Sequence, residues 1–95
     1  MPCIGVITFE LRLDGAHSLK DKRHFVKSLK DRLRVKLNVA VAEIAYQDLW
    51  QRALIACVTV SGNQARAEQV LQAAEKEASA LLGPLLVDTT VEWLA

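Results

Sequence analysis

The residues whose types and spacing could do chemistry are cations: Lys20, Lys22, Arg23, Lys27, Lys30 and Arg34. They lie in the stretch from Ser18 to Leu37, which holds eight of the chain's twelve Lys and Arg residues and two acids. On a helical wheel, Lys20, Arg23, Lys27, Lys30 and Arg34 fall in an arc of roughly 80°, with no acid inside it. Lys22 and Lys36 project nearer the apolar side, where a long stem can follow the core edge and leave its head in water. A row of like charges on a rigid rod repels itself unless an anion or salt screens it. Its natural complement is a phosphate backbone, and A-form RNA is read largely by shape and phosphate. The expected contacts are therefore Lys20, Arg23, Lys27, Lys30 and Arg34, with Lys22 as a helper. The competing reading is an ordinary solvated helix face, although such faces usually mix signs as Glu-to-Lys pairs four apart.

Other chemistries find little support. No acid–base pair and no nucleophile with a partner can be assembled, so an enzyme is not expected. His17 and His24 have no second ligand or nucleophile near them in sequence. Cys3 and Cys57 are too few and too far apart for a zinc site, and Cys57 sits inside an apolar run as a small buried hydrophobe would. Neither a metal nor a cofactor is expected. Ser18, Lys20 and Lys22 at the helix start could hold a phosphate or sulfate, or could form a plain capped terminus.

The elements that must position these residues follow from periodicity. In the Ser18–Leu37 stretch, Leu19, Val26, Leu29, Leu33 and Leu37 share one helical face, with Phe25 at its margin. Ser18 is in N-cap position and Asp21 follows three residues later. Residues 3 to 13 read as a strand, with Ile7, Phe9, Leu11 and Leu13 on one side and Thr8, Glu10 and Arg12 on the other. Asp14-Gly15-Ala16-His17 is the connecting loop. Residues 38 to 46 and 52 to 61 form two more strands, joined by a link short enough for an antiparallel hairpin. Trp50 in that link reads as a lid on the core edge or an interface anchor. Asn63 caps a second helix running to about Leu82, with Ala67, Val70, Leu71, Ala74, Ala78 and Leu81 on its inner face. Gly83-Pro84 stops it. Residues 85 to 94 close the chain as a fourth strand, with Trp93 pinning its end.

The order β-α-β-β-α-β predicts an α+β, ferredoxin-like fold: a four-stranded antiparallel sheet with both helices on one face. Residues 1 to 95 read as a single domain. That fold hosts many functions and licenses none by itself. A heavy-metal transport domain would need a Cys pair in the first loop, and an acylphosphatase-like enzyme an Arg there; neither is present. An RNA-recognition motif would stack bases on sheet aromatics. This sheet offers Thr8, Glu10, Arg12, Asp88 and Glu92 instead, so RNA is expected on the helix side.

Composition sets the bounds. Half the residues are hydrophobic (52%) and the formal net charge is +1. The charge is polarised: residues 1 to 47 carry nine cations and five acids, residues 48 to 95 three cations and six acids. No stretch approaches the ~18 apolar residues of a membrane span, and the first residues lack a signal-peptide pattern. A cytoplasmic location without membrane contact is the expectation.

Two stretches, 17 to 34 and 38 to 61, resemble the YlxP-like family of small bacterial proteins. The most specific pieces are Ser18-Leu19-Lys20-Asp21-Lys22-Arg23 and Gln47-Asp48-Leu49-Trp50-Gln51-Arg52-Ala53. Members are biochemically uncharacterised. Their genes commonly lie near those for translation initiation and ribosome maturation factors, so the resemblance implies a link to RNA or the ribosome and transfers no catalytic residue. The functional expectation is a non-enzymatic RNA- or ribosome-associated protein. The alternative is a homodimeric interaction module using the open sheet face or an edge strand. A small-ligand sensor built on the first loop is a third reading.

Overall fold

Alternation in the first strand dictates which side of the sheet is dry. Ile7, Phe9, Leu11 and Leu13 are buried, and so are Ala53, Ile55 and Cys57 on the strand beside it. The computed structural model describes residues 1–95. Its elements are β1 (Cys3–Arg12), α1 (Leu19–Lys36), β2 (Ala40–Ala45), β3 (Arg52–Ser61), α2 (Gln64–Leu82) and β4 (Leu86–Trp93). A short 3-10 turn, Gly83–Leu85, separates α2 from β4. The four strands form one antiparallel sheet in the order β2-β3-β1-β4. Val26, Leu29 and Leu33 of α1 and Leu71, Ala74 and Ala78 of α2 join the inward residues of β1 and β3 in one core. The expected ferredoxin-like βαββαβ fold is thus the observed one.

Local chemistry sets the element ends. Ser18 Oγ accepts from the Asp21 amide at 3.1 Å, capping α1. The Asp21 carboxylate reaches back to accept from the His17 amide at 2.9 Å, one residue earlier than a standard capping box. Asn63 Oδ1 accepts from the Arg66 amide at 3.1 Å and caps α2. Gly83, at φ +55, ends it in a conformation that side chains with a Cβ rarely take. β2 is shorter than the pattern 38–46 suggested. At its start the Asn38 carbonyl accepts from the Thr59 hydroxyl, and at its end Tyr46 turns left-handed at φ 63.

At the far end of β1 the chain is clamped. Ile4 holds the last two residues by their backbone: Leu94 N donates to Ile4 O at 2.9 Å, and Ile4 N donates to Ala95 O at 3.0 Å. Gly5 lets Trp93 and Leu71 approach closely, since a Cβ there would stand 2.8 Å from each side chain. Trp93 thus packs over β1 and holds the last strand, as expected.

Candidate functional site

The exposed turns of α1 carry the cations. Lys20, Arg23, Lys27 and Arg34 are exposed and Lys30 is half-buried. Arg23, Lys27, Lys30 and Arg34 line a shallow depression of about 420 Å³, together with Val26, Asp31 and Glu43. Lys20 lies a turn away, in a separate depression with Gly15, Asp21, His24 and Phe25. Lys20, Arg23 and Lys30 have no carboxylate within salt-bridge distance.

Two of the five cations are engaged, which corrects the picture of a wholly unpaired row. Lys27 pairs with Asp31, four residues on. Both side chains are more than half exposed and the cation precedes the acid, the weaker orientation, so the pair contributes little. The hydrogen bond from Lys27 holds the Asp31 carboxyl below its usual range, aided by the charges of Lys27, Arg34 and Lys30. Arg34 Nη2 donates to the Val41 carbonyl at 2.9 Å, tying α1 to β2 while leaving the guanidinium charge unneutralised.

Lys22 does not belong to this surface. It is 2% exposed, and its ammonium donates to the Tyr46 carbonyl at 2.5 Å and the Leu49 carbonyl at 2.7 Å. Glu43 Oε2 lies 2.7 Å from the same ammonium. The two carbonyls take hydrogen bonds from this ammonium, while Glu43 Oε2 pairs with it by charge and proximity outside hydrogen-bonding geometry. The expected role as a phosphate helper is therefore overturned: α1 docks on β2 through this side, so the lysine stem runs inward to the hairpin turn. The signal in the sequence was Glu43, an acid two residues after Val41 on the inward side of an otherwise apolar strand.

The remaining candidates fall apart. With Lys22 turned inward and the Asp21 carboxylate beside the first turn, Ser18, Lys20 and Lys22 do not converge on an anion. Lys36 reaches Glu77 of α2 at 3.1 Å, as does Arg32 at 2.7 Å. Hydrogen bonds from Arg32 and Lys36 lower the Glu77 carboxyl from its ordinary value. His17 and His24 are exposed, and His24 meets Phe25 edge-on. Trp50 is 51% exposed, so it does not seal the core. It lines an open depression of about 600 Å³ at the hairpin end, with Arg12, Asp14, Asp48 and Arg52. Arg52 bonds Glu10 and the Tyr46 hydroxyl, with its guanidinium carbon 4.0 Å from the centre of the Tyr46 ring. No three His, Cys, Asp or Glu side chains gather as metal ligands, and no helix is long and apolar enough to cross a membrane.

The comparisons with known proteins agree with this architecture. A family model described as "Protein of unknown function (DUF503)" matches residues 4–89. The uncharacterized protein YlxP of Bacillus subtilis (strain 168) is 39% identical over 69 residues, spanning 73% of this chain and 75% of that protein. Among solved structures, the de novo designed protein Foldit4 superposes with a TM-score of 0.65 at 10% identity, covering 100% of this chain and 98% of its own. A dimeric ferredoxin-like protein of unknown function from Thermobifida fusca gives 0.52 at 15% identity, covering 97% and 91%. At such identities the structural likeness is one of fold.

Proposed function

This chain belongs to the DUF503 family, and we propose that it binds the phosphate backbone of structured RNA through the exposed face of α1. The observation that carries this reading is the set Lys20, Arg23 and Lys30, three cations on one helix without a carboxylate partner. Lys27 and Arg34 add charge on the same side. From Lys20 to Arg34 the helix rises ~21 Å, at 1.5 Å per residue. Over that length a duplex presents on the order of a dozen phosphate charges.

The binding is sequence-tolerant, because nothing in the row reads a base edge and the cations are spaced along a rod. Its mechanism is counterion release: each phosphate met by a cation frees condensed salt. The open sheet face is a poor rival for RNA, since Asp88, Glu92 and Glu10 lie on its β4 side and would repel phosphate. No step of this reading needs a metal, a cofactor or catalysis.

The test is a salt titration of affinity for a double-stranded RNA. Four to five contacts give a log–log slope of roughly −3 to −4.5. A slope near zero, or no binding at low salt, removes the reading.

A further inference from the structure

On the sheet face turned away from both helices, an apolar strip runs along β3 and the first half of β1, bordered by Thr8, Glu10 and the acids of β4. Ile4, Val6, Leu54, Ala56, Val58 and Val60 alternate with the core-facing residues of β1 and β3, and Ile4 stands opposite Val60 and Val6 opposite Val58. Val60 is 57% exposed, and Ile44 on the neighbouring β2 is 52% exposed. An antiparallel sheet with one wet face normally places polar residues there. Isolated soluble chains rarely leave more than a few hundred Å² of continuous apolar surface uncovered. From strand spacing and rise, four strands of this length span ~600 Å², approaching the ~800 Å² that each partner gives to a standard interface.

The charged border of the face indicates what covers it. At one end Arg12 stands opposite Arg52 and has no carboxylate within salt-bridge distance, while Arg52 is held by Glu10. Along the β4 edge Asp88 stands opposite Glu10, and Glu92 opposite Val6. Neither Asp88 nor Glu92 has a cation partner. Like charges directly opposite in a sheet are unfavourable, and Arg12 at one end and Asp88 and Glu92 along one edge are each left without an ion-pair partner. Two such faces packed with their strands near right angles, about a two-fold axis through the Val58 region, bring the arginine end of each onto the acidic edge of the other. The two-fold then repeats every contact.

We infer that a second copy of this chain covers the open sheet face, with Val6 and Val58 at the centre and Arg12 of each copy against Asp88 and Glu92 of the other. Both α1 faces stay outermost in that pair, so this inference stands apart from the phosphate reading and either can fail alone.

Sedimentation equilibrium of the full chain tests it. Wild type should be a dimer at micromolar concentration, and Val58→Asp should weaken association by about 30-fold or more, as loss of a central contact does. Arg12→Glu should weaken it by about tenfold. Adding Asp88→Arg and Glu92→Arg to Arg12→Glu should restore it, a recovery that a misfolded variant cannot give; should Val58→Asp fail to fold, this swap decides alone. A wild-type chain that stays monomeric leaves the face to a different partner and overturns the inference. So does a dimer indifferent to Val58→Asp in a folded variant, or a charge swap that fails to recover.

Discussion

Lys22 Nζ lies 2.7 Å from Glu43 Oε2, in the most deeply buried of the five ion pairs, with the lysine side chain 3% exposed. The same ammonium holds the carbonyls of Tyr46 and Leu49. It therefore fastens α1 to the β2–β3 hairpin at the point where Tyr46 turns left-handed. This lysine works for the fold, in the first turn of a helix whose Lys20, Arg23 and Lys27 stay exposed.

Replacing Lys22 by Met should destabilise the protein by about 3–5 kcal/mol, because Glu43 is left as an uncompensated, largely buried charge. Urea unfolding measures this. Adding Glu43→Leu should recover part of the loss, giving a coupling between the two sites. RNA affinity of the folded Lys22→Met protein should match wild type.

Reversing Lys20, Arg23 and Lys30 together to Glu should abolish most RNA binding and flatten the salt slope by roughly 2–3. Unfolding midpoints should hardly move, since none of the three is held by an acid. Arg34 is left out of this set because its bond to the Val41 carbonyl joins α1 to β2. A reversal that leaves affinity unchanged rules out the helix as the contact.

Glu77 predicts an acid-side stability profile. Its carboxyl is lowered from 4.5 by hydrogen bonds from Arg32 and Lys36. A depressed folded value adds stability that is complete above the unfolded value and fades as pH falls through the folded one. Glu77→Gln should lower the melting temperature at neutral pH and flatten its decline below about pH 4.5, measured by thermal melts between about pH 3 and pH 7.

Gly5→Ala should destabilise the protein by about 1–3 kcal/mol, the usual cost of overpacking. The added carbon would stand 2.8 Å from Leu71 and from the Trp93 ring, so one must move. A shift in Trp93 fluorescence should accompany the loss, with Trp50 replaced by Phe to isolate the signal.

Cys57 should resist thiol reagents in the native state. Burial pushes its thiol up to about 11, so little thiolate forms near neutral pH and the sulfur is shielded. Its labelling rate should track global unfolding, as read by mass spectrometry under increasing urea.

Much of the architecture was legible because its signals are local. The alternation of Ile7, Phe9, Leu11 and Leu13, the caps Ser18 and Asn63 and the stop at Gly83-Pro84 each act within a few residues. They placed β3 at Arg52–Ser61 and α1 and α2 to within a residue or so. The candidate site was legible only in part. Lys20, Arg23, Lys27 and Lys30 lie on the accessible side of α1 as the wheel implies. The wheel could not show that Lys27 takes Asp31 as a partner or that Arg34 bonds β2, because it records angles and not the reach of side chains.

By itself, then, the sequence determined the order of elements, the two-layer fold and the side of α1 that carries charge, because hydrophobic periodicity and capping are written along the chain. The tertiary structure decided the fate of Lys22, whose three oxygen partners come from residues 43, 46 and 49. It also decided that Ile4, Val6, Val58 and Val60 merge into one surface, since that depends on the pairing of β1 with β3 across more than fifty residues of chain. Such meetings are set by docking and register, which no local spacing encodes.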